Sequence, residues 1–600
     1  MTFDLLWNRA SVNERSVMIG LVLLFALPAL YLLAHPYLGI HHDGVYYAFY
    51  ALQHIFPKIY SGDFFVRIVS QDSYTIFSLP YAELVRWIGI ERAAHVVARV
   101  GSISVFIAAG VLARRLMDRD LSWLAIAIFI MIPGFYGARL VFSYGEDFAT
   151  PRPLTEALVL LSFALLLPGR TYSAGISALV AMLLHPLMAM PGILANVLMV
   201  VRARSGVVLV ALACVATISM ALIASYKPMG LIQLVDPEWH RALQLLHYLI
   251  ADEWTIVDWQ PNGVALITLA LAALILPRDA VWRLTLNVLI VSLAGVMLTV
   301  FASFVVPVAA LIAGQPWRWL WIGKALAVLL LPVLGRALCA RGVAGIGAAV
   351  LLTLAWIGSF EPVAIPAALL ALLAILLHDR GRGLARYAGW IAWLPVVPFS
   401  FAILKLMGTM TVQLIIAAAM VPLWWLLFRA PWRAARIVLV LVAFVLLVFE
   451  SASTYSGGKR ALDSYPIYDT ALWSAFSPWR EQIGEGQTVL FIARPEMVWL
   501  TLQRRSYQPY TPVVFSRAAA MATLGRLESL GFYADESRYS TDLTAREPSL
   551  SLSMLKRICG VPEIDFVVSG HALRVPHMQS HAPRPFNDLS LYRCSELLDH

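Results

Sequence analysis

Short Arg-bearing loops alternate with nearly uncharged apolar runs over the first 450 residues, and nothing else in the chain restricts its fold as much. The apolar runs reach 17 to 25 residues, enough to cross a hydrocarbon core of about 30 Å as helices. Only 14% of the residues are charged, against about 25% in soluble domains. The pattern predicts an α-helical polytopic membrane protein with about fifteen spans, counted at roughly 20 apolar residues each. The first run, Val17 to Ala34, lacks a small-residue cleavage site and reads as a retained helix.

The Arg clusters orient the spans. Arg114, Arg115 and Arg119, then Arg170, Arg202 and Arg204, Arg278 and Arg283, Arg336 and Arg341, Arg380, Arg382 and Arg386, and Arg429, Arg433 and Arg436 all sit in short loops. That is the regime of the positive-inside rule, which places them, with the N-terminus, in the cytoplasm. The net charge of +9 is mostly this orienting Arg. No basic stripe with interleaved aromatics accompanies it, which argues against a nucleic-acid partner.

The opposite side carries longer loops, over 35–95, 138–153 and 226–262, rich in acids, histidines and aromatics. The first holds two amphipathic stretches, Tyr46 to Ile59 and Ser78 to Ile88, suited to lying at a membrane interface. The stretch from Ala174 to Val201 is interrupted by His185-Pro186 and Pro191-Gly192. It reads as two short helices meeting within the membrane, where a break survives only if protein or a wet cavity satisfies the backbone. Composition turns polar near residue 450, and 451–600 reads as a small α/β domain on the non-cytoplasmic side. Its strands are expected at Thr488–Ala493, Val513–Ser516 and Ile564–Ser569, with helices at Met497–Arg505, Arg517–Leu530 and Leu550–Ile558. Cys559 and Cys594 both fall there, and an oxidising compartment would let them pair.

Chemistry gathers on the same side. Asp43, in His41-His42-Asp43-Gly44, follows the first span at once. A carboxylate in a partly dry groove can have a raised pKa and take a proton from an attacking hydroxyl; the same Asp would also suit a helix N-cap. Glu146 and Asp147 share a short loop with Arg139 and Arg152. The acids could hold a divalent cation, Mg or Mn, with Asp43, or an acceptor's hydroxyls. The arginines could hold a phosphate, or the loop could be a solvated local ion pair. His42 is a further binding candidate. His185 inside a broken apolar segment either serves function or satisfies a freed carbonyl. Arg318, with Lys324 below it, either meets a lipid phosphate or anchors a Trp-rich membrane edge. No Walker loop, dinucleotide fingerprint or Cys/His zinc pattern is present.

This layout resembles the GT-C superfamily of membrane glycosyltransferases. The resemblance rests on an acid just after the first span (Asp43), a long first outer loop with amphipathic helices (Tyr46 to Ile88), an acidic second outer loop (Glu146-Asp147) and an outer C-terminal domain. It implies transfer of a sugar from a polyprenyl-phosphate donor to a glycolipid, polysaccharide or protein acceptor in a bacterial cell envelope, at the inner membrane. Asp43 would be the base, and Arg318, Arg152 or Arg139 would neutralise the leaving phosphate. The alternatives are a transporter or flippase for a lipid-linked saccharide, and a non-catalytic component of a polysaccharide assembly.

Overall fold

A computed structural model describes residues 27–28, 31, 35, 37, 39–68, 71–201, 233–380, 382–406, 470–492, 494–530, 550–570, 573–582 and 586–598. Among them, four helices are long and apolar enough to cross a membrane: α3 (Ile90–Leu116), α9 (Ile256–Ile275), α10 (Ala280–Phe304) and the run Ala309–Cys339, which ends in α11 (Leu320–Cys339). They mark a membrane protein. The expectation of fifteen spans is not supported. Several apolar runs fold instead as shorter helices: α6 (Thr171–Leu184), α7 (Pro186–Val200), α12 (Gly342–Ile357) and α13 (Ala364–Asp379). At 1.5 Å per residue, the 14 and 15 residues of α6 and α7 reach only about 22 Å. Almost all of the first expected span, and the Arg202–Arg204 and Arg429–Arg436 loops, lie outside the described residues.

The bundle is built around α11. Ile322, Leu326, Leu329, Leu330 and Leu334 are fully buried there, and a helix apolar on every side belongs in a core. It packs on α4 (Arg119–Met131), α9, α10 and α12, while α5 (Arg152–Leu166) packs on α3, α6 and α7. Two of the Arg-bearing helix ends pair with aspartates of neighbouring ends. Arg336 Nη1 is 2.5 Å from Asp118 Oδ2, and Arg341 Nε is 3.6 Å from Asp379 Oδ1.

The expected break is present between α6 and α7, at His185. Pro186 has no N–H and cannot continue the ladder. The first loop satisfies the carbonyls at this break. The Ile76 N–H donates to the Leu183 carbonyl at 3.1 Å, and the Thr75 hydroxyl to the Leu184 carbonyl at 2.6 Å.

That loop contains α1 (Gly44–Ile55) and α2 (Ser78–Ile88). Helix α2 behaves as its pattern predicts, with Leu79 and Trp87 exposed and Tyr81 and Val85 buried. Helix α1 does not lie at an interface. Gly44 through Leu52 are all buried, because the C-terminal domain covers the side expected to face lipid headgroups.

The C-terminal domain is α/β, as predicted, with strand order β4-β3-β5-β7-β6. These are β3 (Thr488–Phe491), β4 (Arg505–Ser506), β5 (Phe566–Ser569), β6 (Met578–Gln579) and β7 (Ser590–Arg593); β3 runs parallel to β4 and β5, and β7 antiparallel to β5 and β6. Alternation sends Val489, Phe491, Phe566 and Val568 into one apolar layer and Leu490, Val567 and Tyr592 into the other. Helices α14 (Pro495–Leu500), α15 (Arg517–Ser529) and α16 (Leu552–Cys559) complete it. The strand expected at Val513–Ser516 is not one. Its carbonyls go to side chains, Val513 accepting from the Thr523 hydroxyl and Val514 from Trp239 Nε1, so no ladder forms.

Cys559 and Cys594 are disulfide-bonded across 35 residues of sequence. Closing a loop of that length restricts the unfolded chain by up to about 4 kcal/mol. The Cys559→Ser/Cys594→Ser double variant should lower the domain's denaturant midpoint, measured by Trp fluorescence. An unchanged midpoint would mean that the link adds nothing to stability.

The domain docks on the first loop through Asp63. Its Oδ2 accepts from Trp499 Nε1 at 2.9 Å and the Ser506 N–H at 2.8 Å, and its Oδ1 from the Phe65 N–H at 2.8 Å. Burial nevertheless pushes this carboxyl up to about 6, against the pull of those donors. The docked state therefore binds the proton more tightly than the unfolded chain, whose carboxyl has the ordinary value of 3.8. Stability should fall as pH rises from about 4 to about 6 and stay lower above. Asp63→Asn keeps only one acceptor oxygen and should cost about 1–3 kcal/mol. Melting curves across that pH window should show a flatter slope in the variant; an equal slope would assign the titration to another group.

Candidate functional site

The site forms where α1, the Glu146 loop and the turn before α11 converge. His41, His42 and Asp43 make a tight turn into α1, closed by the Gly44 N–H donating to the His41 carbonyl at 3.0 Å. His42 adopts φ +51°, a left-handed conformation that costs a non-glycine residue roughly 1–2 kcal/mol. Asp43 does not cap the helix with its side chain. It reaches across the fold to Arg152 instead.

Arg152 opens α5 and is almost fully buried. Its Nη1 is 2.5 Å from Asp43 Oδ2, and its Nε donates to Glu146 Oε2 at 2.8 Å. The Thr150 hydroxyl also donates to that Glu146 oxygen, at 2.9 Å. One guanidinium thus bridges carboxylates from two different loops. Arg318 comes from a 3₁₀ turn, Pro316–Trp319, leading into α11. Its Nε donates to Gln315 Oε1 at 2.7 Å. Both guanidinium carbons stand over the Phe142 ring, at 4.8 Å for Arg152 and 4.2 Å for Arg318.

A β-hairpin, β1 (Phe135–Tyr136) and β2 (Phe142–Ser143), presents that ring. Two polar residues one turn apart on α9 grip its tip. Asn262 Oδ1 accepts from the Gly137 N–H at 3.1 Å, and Asp258 Oδ1 from the Arg139 N–H at 2.7 Å. Gly137 has φ +74°, and a methyl there would fall 2.6 Å from the Trp317 ring, so the hairpin and the Arg318 turn fit together only with glycine.

The polar atoms left over define what the site can bind. Arg152 Nη2, Arg318 Nη1 and His42 Nδ1 are buried without hydrogen-bond partners. Buried guanidinium N–H groups are costly to leave unpaired. Burial would raise the Asp43 carboxyl, but Arg152, His42 and Arg318 more than reverse this and hold it well below the usual carboxylate range. The expectation of a raised Asp43 is therefore corrected: Arg152, 109 residues away in sequence, stands beside it. Glu146 goes the other way. Burial pushes it above its ordinary range despite Arg152 and Thr150, so it loses charge before Asp43 does. Burial lowers His42 to about 4, leaving a neutral imidazole at neutral pH. Two guanidinium groups meet two carboxylates here, and the donors left over for an anion are the unpartnered N–H groups of Arg152 and Arg318.

The other expected site residues divide. His185 is buried with Arg318, Arg152 and Asp43 as its charged neighbours, and its Nδ1 accepts from the Met188 N–H at 3.3 Å; it belongs to this cluster. Asp147 turns away to His41, 3.7 Å from its Nε2. Arg139 donates Nη2 to the Glu253 carbonyl at 3.3 Å, on the exposed side. Lys324 is buried on α11 with its Nζ 4.6 Å from the Trp356 ring, in the bundle core rather than at the site. Asp43, Glu146 and Asp147 do not form a cation site, and no group of three His, Cys, Asp or Glu side chains suited to a metal exists among the described residues. Arg152 occupies the position between Asp43 and Glu146 that such a cation would take.

Sequence reasoning missed Phe142, Gln315 and Tyr510. The His42 backbone contacts the Tyr510 phenol, whose charged neighbours include Glu496 and Asp43. Nothing in their local sequence marks them. No protein-family model matches the chain, and no curated protein matches it.

Proposed function

We propose that this protein is a membrane glycosyltransferase that moves a sugar from a polyprenyl-phosphate donor to a hydroxyl-bearing acceptor on the extracytoplasmic face. The observation that carries the reading is the pairing of Asp43 with Arg152 beside a second guanidinium, Arg318, each arginine keeping an unpartnered buried N–H. The donor's phosphate is the anion that fits those donors. The acceptor oxygen attacks the anomeric carbon, the bond from that carbon to the phosphate oxygen breaks, and the acceptor proton passes to Asp43. The lipid phosphate leaves with the bond's electron pair, stabilised by Arg152 and Arg318. Asp43 is a weak base while Arg152 holds it. A bound phosphate competes for that guanidinium and so raises the basicity of Asp43 when substrate is present.

The extracytoplasmic placement has two supports. The Arg-bearing helix ends pair with one another away from the site, and the domain that covers the site contains a disulfide, which oxidising compartments maintain. The deciding experiment supplies radiolabelled undecaprenyl-phosphate sugars to the reconstituted full chain. Release of undecaprenyl phosphate, by hydrolysis or transfer, is expected. No turnover and no binding of any such donor would end the reading.

A further inference from the structure

Two buried acids stand where the C-terminal domain meets α1, and their surroundings differ sharply. Asp63 has every oxygen bonded by a donor. Glu496, 2% exposed in the first turn of α14, takes no hydrogen bond from any other residue on either oxygen. Its nearest cation is Arg494, whose Nη1 lies 3.8 Å from Oε1, beyond hydrogen-bond range. Burying a carboxylate without donors destabilises a fold. Burial pushes the Glu496 carboxyl up to about 7 against the pull of Arg494, so its charged form is disfavoured by the fold, and no other residue's hydrogen bond ties it to the domain.

Its position points towards the Asp43 site. Glu496 and Trp499 are three apart on one helix and share a face. The Trp499 ring packs 4.3 Å from Phe49 of α1, the helix that Asp43 leads. Tyr510 stands between the two acids. It lies against Tyr46 at 5.8 Å, touches the His42 backbone, and has both Glu496 and Asp43 as charged neighbours. Tyr510 thus links the acid to the Asp43 turn.

We propose that Glu496 and Tyr510 form an acceptor subsite contributed by the C-terminal domain, where the Glu496 carboxylate takes hydrogen bonds from the hydroxyl groups of a glycan-like acceptor. This rests on the glycosyl-transfer reading for the word acceptor, but the subsite itself is a hydroxyl-binding site in any reaction. The acceptor's hydroxyls supply the donors that the neighbouring residues do not, and the Tyr510 phenol adds a further hydrogen-bonding group.

The test uses the full chain in nanodiscs and methyl glucoside, methyl galactoside and methyl mannoside as probes, followed by saturation-transfer NMR. Undecaprenyl phosphate binding is measured in parallel. Glu496→Gln removes the charge while keeping the shape. It should unfold at the same temperature as the parent or higher, bind undecaprenyl phosphate within twofold of the parent, and bind the glycosides at least fivefold more weakly. Glu496→Asp should recover part of that loss, and Tyr510→Phe should weaken glycoside binding by a smaller factor. The proposal is overturned if no glycoside binds the parent, if Glu496→Gln binds glycosides as the parent does, or if it melts several degrees lower and loses the lipid phosphate too, which would make the residue structural. Glycoside binding that depends on Glu496 in a protein that ignores undecaprenyl phosphate would keep this subsite and reject the proposed donor.

Discussion

Arg152→Gln should be the most destabilising single change at the site. The guanidinium stands between Asp43 and Glu146, and Glu146 is only 2% exposed. Removing the cation strands a buried carboxylate, and breaking such a pair from one side costs about 3–5 kcal/mol. The loss is not the worth of the ion pair itself. Most of it is the penalty of leaving Glu146 unpaired, so a second change should repair it. The Arg152→Gln/Glu146→Gln double variant should recover most of the lost midpoint, because two amides can bond each other without a buried charge. Thermal unfolding of the parent, both single variants and the double variant gives the coupling directly. An Arg152→Gln protein that melts within a degree of the parent would show that the triad is not what holds this loop to α5.

Asp43→Asn should separate chemistry from folding. Asparagine keeps the size, and its oxygen can still accept from Arg152. Glu146 still neutralises the guanidinium. A quarter of the Asp43 side chain is exposed but its partner Arg152 is buried, so the stability cost should be about 1–3 kcal/mol, less than for Arg152→Gln. The capacity to accept a proton is lost entirely. General-base catalysis contributes about 10²–10⁴-fold, and turnover of the labelled donor should fall by that factor while binding of undecaprenyl phosphate persists. Full turnover in a well-expressed Asp43→Asn protein would remove the residue from the mechanism. Together the variants give different profiles: Arg152→Gln damages fold and anion binding, and Asp43→Asn damages chiefly the chemical step.

Local sequence carried some of this. The His185-Pro186 break follows from a missing N–H, and it is found where Pro186 stands. The strands around Val489 and Val567 follow from alternation. Span number was overcounted because hydropathy measures apolar length without the breaks that shorten helices, as in α6 and α7. The Val513–Ser516 strand failed because extended, apolar and buried is not yet hydrogen-bonded to a neighbour. Helix α1 was assigned to an interface because its pattern says only that it is rich in aromatics. The covering domain lies some 450 residues away, and Tyr60 donates to the Trp499 carbonyl across a separation of 439 residues.

By itself, the sequence determined membrane class, the polar C-terminal domain and the short stretches where acids and arginines gather, since each depends on composition or periodicity over a few turns. Tertiary structure alone decided which charges meet. Asp43 and Arg152 are 109 residues apart, and whether a carboxylate titrates high or low depends on the cation beside it in space. Asp43 was read as a raised acid until Arg152 was beside it. The missing donors around Glu496 are likewise a property of packing. Coulomb energy and desolvation depend on distances between atoms, and in this chain only the packing of α1, α5 and α11 sets those distances.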